Sequence, residues 1–158
     1  MTVTPVSLYS ASRTMIDIAI TSNFTLVNSV EVKFPAELIV SDLCFVDPTT
    51  TLDILSMEFD GGTDIYKIQV VPANTSQTLK FICDQVLTGT AGAVSSFEVY
   101  LWETYSDTLA NTPDHLISKN TALNPSITLI VDPNLPHLDY FEWVYDNYWA
   151  DYQAETQS

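Results

Sequence analysis

"ILSMEFDGGTDIYKIQV", residues 54–70, reads in steps of two. Before the glycines, Leu55, Met57 and Phe59 alternate with Ile54, Ser56 and Glu58; after them, Tyr66, Ile68 and Val70 alternate with Lys67 and Gln69. A β-strand turns successive side chains to opposite faces, so each run acquires an apolar face and a more polar one. A helix, repeating about every 3.6 residues, could not use this pattern. Between the runs, "DGGTD" at 60–64 supplies the glycines that a tight hairpin loop needs.

The same period recurs along the chain. Ile16, Ile18 and Ile20 show it, as do Val30, Val32 and Phe34, then Leu79, Phe81 and Cys83, then Phe97, Val99 and Leu101. "VDPTT", "VPANTSQ" and "LTGTAGA" read as turns between them. Short strands separated by turn clusters, with no long helical pattern, predict an all-β fold, an antiparallel β-sandwich of the immunoglobulin-like or jelly-roll kind. They argue against βαβ units. Residues 104–126, "TYSDTLANTPDHLISKNTALNPS", are polar and read as a long excursion or loop, and "SITLIV" at 126–131 reads as a final strand. The expected organisation is a sandwich over 1–131 and an aromatic, acidic C-terminal segment over 132–158, packed on the domain or on a neighbouring subunit.

The order "VEVKFPAELIV … PANTSQTLKFICDQVLTGTAGAVSSFEVYLWE", across roughly residues 28 to 103, resembles the immunoglobulin-like modules of bacterial, archaeal and viral surface and virion proteins. In those modules a strand ending in a Phe-Pro corner is followed by a strand like "TLKF", a glycine-containing turn and a long strand. The resemblance implies the sandwich and carries no functional residues with it. No Trp falls between Cys44 and Cys83, so the Cys–Trp–Cys arrangement of antibody domains is absent.

Composition narrows the function. The 158 residues are 46% hydrophobic and 16% charged, which predicts a folded globule with its own core. Twenty Asp and Glu against five Lys and Arg leave a net charge of -15. Such a surface repels nucleic acid and anionic lipid and favours a basic protein partner, bound cations or a salty environment. No apolar run of about 18 residues exists to span a membrane, and "MTVTPVSLYSASRTM" has neither the basic nor the apolar region of a secretory signal. Cys44 and Cys83 sit in apolar runs with no CxxC and no neighbouring His, and are expected to be two buried free thiols.

"HLDYFEWVYDNYWADYQ", residues 137–153, packs seven aromatic rings and four carboxylates together without a Lys or Arg. Leu138, Phe141, Tyr145, Tyr148 and Tyr152 are spaced to share one face of a short helix, while Phe141, Trp143, Tyr145 and Trp149 share the parity of an extended arm. In either form the rings are too many for one face. Tyr140, Phe141, Trp143, Tyr145, Tyr148, Trp149 and Tyr152 are therefore expected to bind a partner, the alternative being that they close the domain's own core.

Motifs of catalysis are missing: GxSxG, HExxH, GxxxxGK[ST] and GxGxxG do not occur. The two histidines give little to a triad or metal site, and His115, following Asp114 in a polar stretch, reads as a solvated loop histidine. Glu58, Asp60 and Asp64 cluster near the hairpin loop, as do Glu98 and Glu103 on a strand, the only hints of paired-carboxylate chemistry. No catalytic residue, cofactor or metal is expected. The sequence thus predicts a non-enzymatic structural protein, a virion component that decorates or cements a capsid or coat lattice. It would bind that lattice or copies of itself as a homo-oligomer, with no nucleic acid or membrane partner, in the virion or otherwise the cytoplasm. The alternative is a carbohydrate-binding or adhesin module in which exposed Trp102, Trp143 and Trp149 stack on sugars.

Overall fold

A computed structural model describes residues 1–4, 7–94, 96–120 and 127–131. The partner-binding set expected at Tyr140, Phe141, Trp143, Tyr145, Tyr148, Trp149 and Tyr152 lies outside these residues, as does the helix-or-arm question.

The described chain is all-β apart from a 3-10 turn at Pro113–His115. Its strands are β1 (Thr2–Thr4), β2 (Ser7–Tyr9), β3 (Arg13–Asn23), β4 (Ser29–Lys33), β5 (Leu38–Ile39), β6 (Cys44–Val46) and β7 (Ile54–Asp60). There follow β8 (Ile65–Val70), β9 (Ser76–Thr88), β10 (Gly92–Ala93), β11 (Glu98–Trp102), β12 (Leu116–Asn120) and β13 (Thr128–Ile130).

One sheet runs β1-β3-β9-β5, with β6 also pairing β9; the other runs β12-β11-β4-β8-β7. In immunoglobulin lettering the first is A-B-E-D, and the second is G-F-C extended by the β7–β8 hairpin. This resolves the sandwich expected from the alternating runs toward the immunoglobulin-like topology. A small third sheet, β10-β13-β2, closes one end, with β2 parallel to β13.

The inner faces meet in one core. Ile16, Ile18 and Ile20 on β3 and Leu79 and Phe81 on β9 are buried against Val30 and Val32 on β4 and Tyr66 and Ile68 on β8. The Tyr66 and Phe81 rings lie 6.2 Å apart across the two layers. Tyr66 keeps its hydroxyl satisfied at the sandwich edge, donating to the Ser41 carbonyl and accepting from the Cys44 amide at 3.2 Å. Burial of this ring pushes its pKa up to about 12.

The structure corrects three expectations. Cys44 and Cys83 face each other in the β6–β9 ladder and form a disulfide, with Cα atoms 4.0 Å apart. This bond lies within one sheet, unlike the inter-sheet bond of antibody domains. Residues 104–126 are not all loop, because β12 pairs with β11. An edge strand exposed along nearly its whole length has no apolar face to reveal it. Leu55 does not join Met57 and Phe59 on the inner face but is 61% exposed, since the β7–β8 register shifts between Ile54 and Ser56.

Candidate functional site

The outer face of the β12-β11-β4-β8-β7 sheet carries a row with one residue from every strand. Ladder partners place Lys119 beside Tyr100, Tyr100 beside Glu31, Glu31 beside Lys67 and Lys67 beside Glu58. Tyr100, Glu31, Lys67 and Glu58 have the parity opposite the inward residues of their strands, and the ladder sets Lys119 on the same face. Charge alternates over Glu31, Lys67 and Glu58, which favours these neighbouring pairs.

Lys67 is the hub. Its Nζ lies 3.6 Å from Glu31 Oε1, 5.0 Å from the centroid of the Tyr105 ring and 3.3 Å from the Asp107 carbonyl, to which it donates. Tyr105 reaches past it to donate its hydroxyl to Glu58. At the other end, the Lys119 ammonium sits 5.2 Å over the Tyr100 ring, and Tyr100 donates to Glu98. Burial, opposed by the Lys67 charge, holds the Glu31 carboxyl above the ordinary glutamate value. Burial and then the Glu98 carboxylate push Tyr100 up to about 12.

The segment from Glu103 to His115 roofs this row. Asn28 anchors its start by donating to the Glu103 carbonyl at 2.6 Å. Thr108 and Thr112 close its tip with paired bonds of 2.8 Å. Asp107 is buried beneath, accepting from the Thr104 amide at 2.8 Å and meeting His115 Nδ1 at 2.9 Å. Between roof and sheet opens a cleft of about 450 Å³, floored by Glu31, Lys67 and Tyr100, with Glu58 and Asp60 at one wall, Lys33 exposed, and Leu109 and Ala110 overhead. Its size is that of a small-ligand site.

Two interstrand steps, about 9–10 Å, separate the backbones of Glu31 and Glu58. Lys67 and the Tyr105 ring fill the gap between them, where the scissile bond of a glycosidase pair would lie. The cleft offers alternating acceptors and donors over apolar and aromatic walls, which suits holding a polar ligand rather than cleaving one.

Other candidates fare differently. Asp60 accepts from the Gly62 amide and the Thr63 hydroxyl, so it braces its own hairpin loop. Among the described residues no cluster of His, Cys, Asp or Glu could hold a metal ion. His115 is exposed and also pairs with Asp107. Trp102 is not an exposed sugar platform: it is fully buried, stacked on Tyr100 at 6.2 Å. Trp143 and Trp149 lie outside the described residues. Glu31 and Lys67 escaped notice because single outward charges in apolar strands read as plain alternation. A charge at the centre of a strand, with buried residues on either side, was the available signal.

Fold and cleft together define an immunoglobulin-like sandwich with a charged, roofed cleft on one face. No family model and no curated protein matches the chain. Among solved structures, one described as a membrane-anchored protein from Corynebacterium diphtheriae matches with 10% identity and a TM-score of 0.46, over 82% of this chain and 32% of the other. The chain thus spans about a third of that protein's length. The CssB subunit of the enterotoxigenic Escherichia coli colonization factor CS6, complemented with a donor strand from CssA, matches with 14% identity and a TM-score of 0.32, over 82% of this chain and 95% of the other. Likenesses this distant carry no weight for function.

Proposed function

We propose that this protein is a non-enzymatic, adhesin-like binding module, and that the cleft under the 103–115 roof receives hydroxyl-rich saccharide ligands. The observation that carries the reading is the four-strand row Tyr100–Glu31–Lys67–Glu58, which floors an open cleft with alternating donors and acceptors. Sugar hydroxyls both donate and accept, so such alternation, beside aromatic and apolar walls, matches their chemistry. The Cys44–Cys83 disulfide supports work in an oxidising compartment, such as a cell exterior, in place of the cytoplasm. The virion location and capsid partner expected from the sequence gain no support from the described residues, and the adhesin-like alternative is carried forward.

Titration of the full chain with a panel of neutral and acidic oligosaccharides, followed through the ring signals of Tyr100 and Tyr105, tests the reading. A saccharide that perturbs both rings, and binds about tenfold more weakly to Glu58→Gln, is the expected result. If no saccharide moves either ring, or if binding is indifferent to Glu58→Gln and Lys33→Met, the cleft is not a sugar site.

A further inference from the structure

The outer face of the other sheet is unlike the cleft face. Ladder register sets Ile39 beside Leu87, and Phe45 beside Ile82. Between these rows stand Leu43, whose carbonyl accepts from the Asp84 amide at 3.1 Å, and Met15 on β3. All have the parity opposite the core positions of their strands. Ile39 is 62% exposed, Met15 51%, Phe45 50% and Leu43 49%. Singly exposed apolar residues need no explanation, but a contiguous group at ladder spacing on a flat sheet does. The next row on this face is polar, with Lys80 lying 3.9 Å from Asp17 and 3.8 Å from Asp47. Acids are set against and within this group, Asp17 beside Ile82 and Asp84 on β9 between Met15 and Leu43, while Arg13 stands beside Leu87 at the far end.

We infer that this face docks a protein segment in which apolar side chains alternate with Lys or Arg. The apolar residues would cover Phe45, Leu43, Met15 and Ile39, and the cations would meet Asp84 and Asp17. Charge selects this occupant over a second copy of the chain. Two such faces brought together would oppose Asp84 and Asp17 of each copy, on bodies that each carry -15. β6 pairs with β9 alone among the described strands, so the apolar group reaches the edge of this sheet. The surface is on the opposite layer from the cleft, and the inference does not depend on what the cleft binds.

The test uses the full chain and two short synthetic peptides, one alternating leucine with lysine and one alternating leucine with glutamate, measured by fluorescence anisotropy. The lysine peptide should bind, with affinity that falls as salt rises, and the glutamate peptide should not. Leu43→Ser with Phe45→Ser should weaken the lysine peptide by about tenfold or more. Met15→Lys, which keeps bulk but adds a like charge, should also weaken it, while Leu109→Ser in the cleft roof should leave it unchanged. Equal binding of both peptides, or binding indifferent to the Leu43, Phe45 and Met15 variants, would overturn the inference. So would sedimentation of the peptide-free chain as a dimer that Phe45→Ser dissociates, because the occupant would then be a second copy.

Discussion

The carboxylate of Asp107 lies 2.9 Å from Nδ1 of His115, tying the middle of the cleft roof to its end. Burial would raise this aspartate, but bonds from His115, Thr104 and Thr112 outweigh it and bring the value down to about 2. Asp107 in turn raises His115, with Glu103 and Asp114 adding to the effect.

A depressed acid stabilises the fold above its unfolded value and loses that contribution as pH falls through its folded value. A raised histidine contributes fully below its unfolded value and loses this as pH rises through the folded one. Both contributions are therefore complete between the ordinary values of 3.8 and 6.5. Urea denaturation across pH should show the difference between the parent chain and His115→Gln largest in that window. It should shrink on the alkaline side as the imidazole loses its proton. A gap that is constant from pH 5 to pH 9 would show that the imidazolium charge is irrelevant to the roof.

Lys67→Met should cost about 1–3 kcal/mol near neutrality, because it leaves the largely buried Glu31 carboxylate without its cation. The loss should ease in acid. Glu31 already titrates above the ordinary glutamate value, so the native state binds its proton more readily than the unfolded chain, and stability falls as pH rises through that range. Removing Lys67 extends this range upward. Equal destabilisation at pH 4 and pH 8 would rule out the charge-pair account.

Reduction of Cys44–Cys83, or Cys44→Ser with Cys83→Ser, should lower stability by about 3–4 kcal/mol on the chain-entropy account, given a sequence separation of 39. Thiol titration of the unfolded, unreduced chain should find no reactive sulfhydryl. A full count of free thiols in protein purified without reductant would refute the bond.

Much of the sandwich was legible because its strands are buried on one side. Ile16, Ile18 and Ile20 alternate so regularly that only a sheet facing a core accounts for them. β12 was not legible, since at an exposed edge nothing distinguishes inward from outward positions. The disulfide was hidden for a related reason. Cys44 and Cys83 become opposite neighbours only once β6 docks on β9, and local sequence says nothing about that register. The cleft shares this dependence in part: Lys67 and Glu58 face each other across one hairpin, but Glu31 joins them only once β4 pairs with β8. Trp102 shows the reverse failing, where a ring given a binding role by its chemistry is enclosed by its neighbours.

The parallel pairing of β2 with β13 has a mechanical consequence. Ser7, Leu8 and Tyr9 face Thr128, Leu129 and Ile130, and the Ser10 amide extends the contact by donating to the Ile130 carbonyl at 2.7 Å. Tension entering ahead of β2 and leaving behind β13 draws the two strands in opposite directions along a common axis. Their bonds are then strained together in shear, whereas a hairpin such as β7–β8, pulled at its two ends, would unzip one bond at a time. The domain should thus resist stretching at this seam, which shields the strands between β2 and β13 from the load.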